Sequence, residues 1–275
     1  MTAVVAIANH KGGVAKTTTC LSLGGALAEQ GLQVLVVDLD PQAHLTLSLG
    51  LRPEELRHTL ADVLLEQQSV VAVSRETSVA GLDLVPASGE LVVLDKALYG
   101  RPGYEYRLRQ ALGRMSVAYD FVLMDCPPSF GTLTLNALTA ADMLIIPIQC
   151  EYYAWRSLRP MLELVTVVRQ KTNPALRYRL LVTMYDARSR IHRLILEQIH
   201  RFFPQATFRT IVQVDTRLRE SPVYGLPVTQ YAPRTRAAEQ YRAVAQEMMV
   251  CFPPAPTVIT GPQRAWPVEH SVASG

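Results

Sequence analysis

The residues Lys11-Gly12-Gly13-Val14-Ala15-Lys16-Thr17-Thr18 follow a short apolar run and open a helical stretch. That arrangement suits one ligand chemistry. A triphosphate must be met by several backbone N–H groups at once, so the chain has to curl around it, which glycine permits. A helix N-terminus behind the loop adds positive potential. In such a loop Lys16 reaches the β- and γ-phosphates, and the Thr17 hydroxyl holds Mg2+. The strict pattern G-x-x-x-x-G-K-[ST] fails, because His10 and Ala15 stand at its two glycine positions. The variant K-G-G-x-x-K-T fits, with an extra lysine at its front. Lys11, five positions ahead of Lys16, is unnecessary for phosphates bound by its own chain. It has a use if its ammonium reaches a nucleotide held by a second copy and neutralises charge there, as an arginine finger does.

Three aspartates end apolar runs. Asp38 and Asp40 lie two residues apart, so in an extended chain they share a face. They fall where parallel strands end, which is where such sheets bind ligands. Asp125 follows four apolar residues and can hold Mg2+ through a water. Cys20, Cys126, Cys150 and Cys251 have no paired spacing, which argues against a zinc cluster or a disulfide framework and for small buried hydrophobes.

These groups need a rigid frame, and the chain is long enough to build one. At 275 residues, 49% apolar and 19% charged, it has an ordinary globular composition and can bury a sizeable core. Continuous apolar runs at 4–8, 33–37, 82–85, 121–124, 143–146, 178–183 and 208–212 are expected as strands. Helical patterns fill 16–30, 104–115, 132–140, 157–170, 189–203 and 235–250. The alternation predicts an α/β fold, a mostly parallel sheet with helices on both faces. Residues 1–250 form the expected P-loop ATPase domain, and 251–275 a proline-rich, disordered tail. No run approaches the length of a membrane span, and the N-terminal run is too short for a signal peptide, so the expected location is the cytosol.

The net charge of +3 hides an asymmetry, because residues 1–150 carry a balance of −5 and residues 151–250 one of +8. In the helix expected at 189–203, Ile191, Ile195, Ile199 and Phe202 form an apolar stripe meant for the sheet. Arg190, Arg193, Glu197 and Arg201 fall opposite, and Arg188 precedes the helix. Arg217 and Arg219 form a second cluster, followed by Arg234, Arg236 and Arg242. Such a basic half reads either as a solvated surface or as a footprint for a polyanion. Arginine–phosphate contacts position a protein on DNA without reading sequence, and no helix-turn-helix or zinc finger is recognised, so binding to double-stranded DNA, if that is the polyanion, is expected to be non-specific.

The sequence resembles the ParA/Soj group of partition ATPases, in the deviant-Walker (MinD-like) class. Besides KGGVAKTT, the resemblance is carried by VDLDPQ (37–42), YDFVLMDCPPS (119–129), LTLNAL (133–138), QCEYYA (149–154), TMYDAR (183–188) and the run 217–239. It implies ATP-dependent sandwich homodimers, slow ATP hydrolysis, non-specific DNA binding in the ATP state, association with the nucleoid, and a ParB-like centromere-binding partner that stimulates hydrolysis. It places Asp40 at the position that orients or activates the attacking water beside Mg2+, Asp38 in support of its loop, and Arg188 and Arg217 at positions of DNA contact.

The chain departs from that pattern in three places. Relatives read Ile-Pro-Arg-Asn near the adenine where this chain has Val212-Gln213-Val214-Asp215; Ala15 replaces a glycine; and no helical N-terminal extension for operator DNA is present. Two neighbouring readings stay open, a positioner of protein cargo and a MinD-like membrane-associated division regulator. The second asks for an amphipathic C-terminal helix, which the proline-rich tail does not supply. A metabolic enzyme is a weaker third, since no substrate-specific nucleophile set accompanies the loop.

Overall fold

The structure, a computed structural model, describes residues 2–152 and 154–252, the side chains of Trp155 and Ser157 excepted. Its strands are β1 (Ala3–Ile7), β2 (Val34–Asp38), β3 (Arg75–Glu76), β4 (Leu82–Val85), β5 (Phe121–Asp125), β6 (Met143–Gln149) and β7 (Arg177–Thr183). The helices are α1 (Lys16–Ala28), α2 (His44–Ser48), α3 (Leu60–Leu64), α4 (Val70–Val73), α5 (Leu91–Leu98) and α6 (Arg107–Gly113). They continue with α7 (Thr132–Ala140), α8 (Ala154–Lys171), α9 (Arg190–Phe202), α10 (Arg217–Glu220), α11 (Val228–Tyr231) and α12 (Arg236–Cys251).

The strands pair in the order β3-β4-β2-β5-β1-β6-β7, parallel throughout except for the short edge strand β3. Burial on both faces explains their continuous apolar composition. Alternate residues feed separate cores. On one face Leu35, Val37, Val122, Met124, Leu144 and Ile146 pack beneath α3, α5, α7, α8 and α9. On the other, Val34, Val36, Leu123 and Ile145 pack against α1 and α12. Gly25 of α1 lets the next layer approach, because a Cβ there would lie 2.5 Å from Pro227.

The observed sheet bears out the expected α/β architecture, with three local departures. The strand expected at 208–212 is not a regular strand. Phe208 and Val212 donate to Leu180 O and Val182 O at 2.9 Å each, but the intervening N–H groups of Arg209 and Thr210 donate at 2.8 Å to the Glu247 carboxylate of α12. That carboxylate lifts the segment off the ladder. The helix expected at 104–115 begins as a 3-10 turn at Tyr104–Tyr106, where Asn136 donates to Tyr104 O at 2.9 Å and accepts from the Leu108 N–H at 3.1 Å. Along α9 only Ile199 is buried and Ile195 partly so; Ile191 is 43% and Phe202 68% exposed, so the expected stripe covers the sheet with its middle alone. At the C-terminus, α12 runs to Cys251, and Phe252 sets its ring edge-on to Phe121. The rest of the expected tail lies outside the described residues. Among the described residues no helix is long and apolar enough to cross a membrane.

Candidate nucleotide site

Strand ends create the site. β1, β2 and β5 lie side by side in register, so Ile7, Asp38 and Asp125 end at one level. The phosphate loop leaves β1 there. Asn9 pins its entry, donating to Pro147 O at 2.8 Å and accepting from the Lys11 N–H at 3.1 Å. Gly13 takes φ +73°, a left-handed turn that glycine adopts without strain. Ala15 takes φ +67° with a Cβ attached. Two of the four described non-glycine residues with positive φ, Ala15 and Met184, line the site, and a third, Ala43, lies between its lining residues Gln42 and His44. Strain of this kind gathers where a ligand is gripped.

A cavity of about 460 Å³ opens over this loop. Gly12, Gly13, Ala15, Lys16, Thr17 and Thr18 form its floor, and Asp40, Gln42 and His44 one side. Met184, Gln213, Val214, Asp215, Leu218 and Arg219 form the opposite side. Val14, expected as part of the loop's grip, faces inward instead; it is buried, and its carbonyl accepts from the Thr183 hydroxyl at 3.0 Å. Lys16 is buried, which lowers its pKa, while the nearby carboxylates of Asp125 and Asp40 pull it back up.

Asp125 lies beneath the floor, fully buried, with no well-formed hydrogen bond to either carboxylate oxygen, although the neighbouring Thr17 hydroxyl favours its charged form. Burial first and the charge of Asp38 second push its pKa well up. An unsatisfied buried carboxylate is costly. Hard oxygen donors, few in number and beside a polyphosphate floor, fit Mg2+, which keeps most of its waters. Asp38 is also buried but well satisfied. It accepts from the Asp40 N–H at 3.1 Å, the Thr46 N–H at 2.8 Å and the Thr46 hydroxyl at 2.7 Å. Asp40 reaches the cavity, with Oδ1 accepting from the Gln42 N–H at 2.9 Å.

Lys11 does not line the cavity. Its ammonium is ion-paired with Glu151, in the turn that follows β6, and donates at 3.1 Å to Oε1 of Gln149, the last residue of β6. Gln149 Nε2 donates in turn to Gly13 O at 2.9 Å.

The arginines divide. A bridge between Tyr185 and Gln213 sets the loop before α9 beside the loop before α10. Arg188, almost fully exposed, is held by Asp186 at 3.0 Å, which lowers the Asp186 carboxyl to about 2. Arg217 pairs with Glu220 at 2.7 Å. Arg219, expected at the DNA face, lines the nucleotide cavity. Arg242 belongs to the packing, clamped to Glu29 at 2.7 and 2.9 Å across α12 and α1. Arg190, Arg193, Arg201, Arg234 and Arg236 are exposed.

A match to the AAA domain family spans residues 2–178. The sporulation initiation inhibitor protein Soj of Bacillus subtilis is 39% identical over 89% of this chain and 97% of its own length. The chain is a member of the ParA/Soj family. The chromosome partitioning protein ParA of Myxococcus xanthus is 37% identical over 90% of this chain and 87% of its own length. A solved structure from Mycobacterium smegmatis, described as a cobyrinic acid a,c-diamide synthase with bound ATP analogue and magnesium, is 38% identical. It superposes with a TM-score of 0.80 over 90% of this chain and 95% of that one.

Within this ParA/Soj chain, sequence reasoning found the floor of the cavity, noted Gln149, Glu151 and Met184 only as parts of family motifs without a role at the site, and missed Thr46. Gln149 and Met184 sit at or just past the ends of parallel strands, the position where ligand groups collect, and that signal was available. Their distance in sequence from the loop hid the contact.

Proposed function

We propose that this ParA/Soj-family protein is an ATPase that closes into a homodimer around ATP and Mg2+, binds double-stranded DNA non-specifically in that state, and partitions a chromosome or plasmid. One observation carries this reading. The stretch from Gln213 to Arg219 forms a wall of the nucleotide cavity and also bears Arg217, so one short segment meets both the nucleotide and the solvent-facing arginine. Filling the cavity fixes that segment.

The roles follow from the placements. The loop N–H groups and the α1 N-terminus bind phosphate oxygens, and Lys16 neutralises them. Thr17 and Asp125 would hold Mg2+, the latter through water, and the bound ion would draw charge from the phosphate oxygens. Asp40, fixed by Asp38, orients the attacking water. Lys11 reaches the partner copy's phosphates. Dimerisation doubles the arginine set, and log affinity for DNA falls by about 0.9 per phosphate contact for each log unit of salt, so doubling the contacts steepens binding sharply. A ParB-like centromere-binding protein stimulates a slow hydrolysis, after which the dimer parts and the DNA is released. Glutamine-fed amide synthesis, the alternative raised by one relative's description, needs a reactive thiolate. Cys20, Cys126 and Cys150 are buried, with their thiols pushed up by desolvation, and the partly exposed Cys251, at the end of α12, does not line the cavity.

The test is retention of the protein on DNA of unrelated sequence with ATP, with ADP and without nucleotide. Retention with ATP alone is expected, and equal retention in all three overturns the reading.

A further inference from the structure

Lys11 raises a problem for the dimer. Its ammonium is already satisfied within its own chain, by the Glu151 carboxylate and by Gln149 Oε1 at 3.1 Å. The Gln149 amide cannot turn away cheaply, because its Nε2 is committed to Gly13 O at 2.9 Å and lies against Met184 Sδ at 2.7 Å. Its oxygen is thereby aimed at Lys11. Glu151 sits in a short turn closed by the Glu151 N–H to Gln149 O and the Ala154 N–H to Glu151 O, both at 2.9 Å. The Gln149 oxygen is thus held in place by its amide's own contacts, and the turn fixes the main chain that carries the Glu151 carboxylate beside it.

We propose that Glu151, with Gln149, is a positioning residue that stores Lys11 in cis, so that each protomer must release this ion pair before its lysine can reach the partner's nucleotide. The inference rests on the reading that Lys11 acts across a dimer. The stored state reduces the competent fraction of each protomer, and the apparent dimer affinity falls by that fraction for each of the two protomers. Both side chains are half-exposed, at 36% and 50%, which keeps the latch weak. An ion pair of this kind shifts an equilibrium by about five-fold at most. Two latches then shift dimerisation by up to about 25-fold, and salt screens the effect. A triphosphate, with several negative charges in one place, outcompetes one carboxylate. An unloaded partner offers nothing to pull Lys11 away.

The experiment measures the dimer dissociation constant by sedimentation with a non-hydrolysable ATP analogue and Mg2+. Four full-length proteins are compared: wild type, Glu151→Gln, Lys11→Ala and the double variant. Glu151→Gln keeps the shape and removes the charge. The expected result is a dimer about 3- to 25-fold tighter, with the gain shrinking as salt rises and disappearing in the Lys11→Ala background. Glu151→Asp, which restores the charge, is expected to move back toward wild type. An unchanged or weaker dimer in Glu151→Gln overturns the proposal. So does an equal gain in the Lys11→Ala background, which would make Glu151 a general repulsive charge. Dimerisation of Lys11→Ala at wild-type strength removes the trans role itself, whereas a failed Glu151→Gln effect beside a dimer-defective Lys11→Ala removes only the latch.

Discussion

The Asp38 carboxylate takes two hydrogen bonds from Thr46, one from its N–H at 2.8 Å and one from its hydroxyl at 2.7 Å. This ties the end of β2 to the short helix α2 that follows the Asp40 loop. The Thr46 hydroxyl also accepts from the Ala87 N–H at 3.0 Å, so one oxygen joins three segments. Thr46→Val keeps the volume and the backbone N–H bond but deletes both hydroxyl bonds, leaving the buried Ala87 N–H unpaired and the Asp38 carboxylate one donor short. The expected cost is about 1–3 kcal/mol in urea unfolding, with Thr46→Ser near wild type. Turnover should fall further than ATP affinity, because the loop that bears Asp40 loosens while the phosphate floor stays intact. Loss of ATP affinity in step with turnover would contradict this.

Burial pushes the Asp38 carboxyl up to about 7, against the bonds from Thr46 and Asp40 that favour its charged form. Asp125 is shifted in the same direction. A carboxyl whose folded pKa lies above its unfolded value stabilises the protein below the unfolded value and loses that contribution as pH rises through the folded one. The window runs from the ordinary carboxylate range near 4 up to about 7. The nucleotide-free protein should therefore melt at a lower temperature at pH 8 than at pH 5. In Asp38→Asn that difference should shrink without vanishing, since Asp125 still titrates. A melting temperature that rises over this interval would contradict the assignment.

Ala15 holds a left-handed backbone, φ +67° and ψ +37°, where glycine would sit without strain. The strain relieved by Ala15→Gly exceeds the entropy added to the unfolded chain, for a net gain of up to about 1 kcal/mol. Because Ala15 lines the cavity, losing its Cβ also frees space under the phosphates. A higher urea midpoint and a few-fold tighter ATP constant are expected from equilibrium unfolding and titration calorimetry. A lower midpoint would mean that the methyl group contributes more by packing than it costs in strain.

How much of this was legible in the sequence depends on distance along the chain. The phosphate floor from Gly12 to Thr18 is contiguous, so spacing alone located it. Strands β1, β2, β5 and β6 were readable because burial on both faces demands an unbroken apolar run, as in Val34–Asp38. The helices α2, α3, α4, α10 and α11 have four or five residues each, too few to express a helical period. The segment 208–212 carried a strand's composition, but the deciding partner, Glu247, lies 37 and 38 residues away. Gln149 contacts Gly13 across 136 residues, a pairing that only the order of strands in the sheet creates. Arg219 was grouped with Arg217 by adjacency, while the short helix α10 points one toward the cavity and pairs the other with Glu220.

That last difference separates two arginines that a charge count treats alike. Arg217 is half-exposed and paired with Glu220, beside the Tyr231 hydroxyl, in an ion pair that a DNA phosphate can replace. Arg219 lines the cavity proposed for the nucleotide, so its loss should act on ATP. In Arg217→Ala, ATP affinity should stay within about two-fold of wild type. The slope of log DNA affinity against log salt, measured at saturating ATP, should become shallower by about 2, roughly one for each protomer of the dimer. In Arg219→Ala the ATP dissociation constant should rise several-fold, while the salt slope at saturating ATP stays at the wild-type value. Fluorescence anisotropy on a labelled duplex over a salt series, with ATP titrations alongside, reads both quantities. A shallower slope in Arg219→Ala would return that residue to the DNA face. An unchanged slope in Arg217→Ala would move the DNA contact to other arginines, such as the exposed Arg190 and Arg193 of α9.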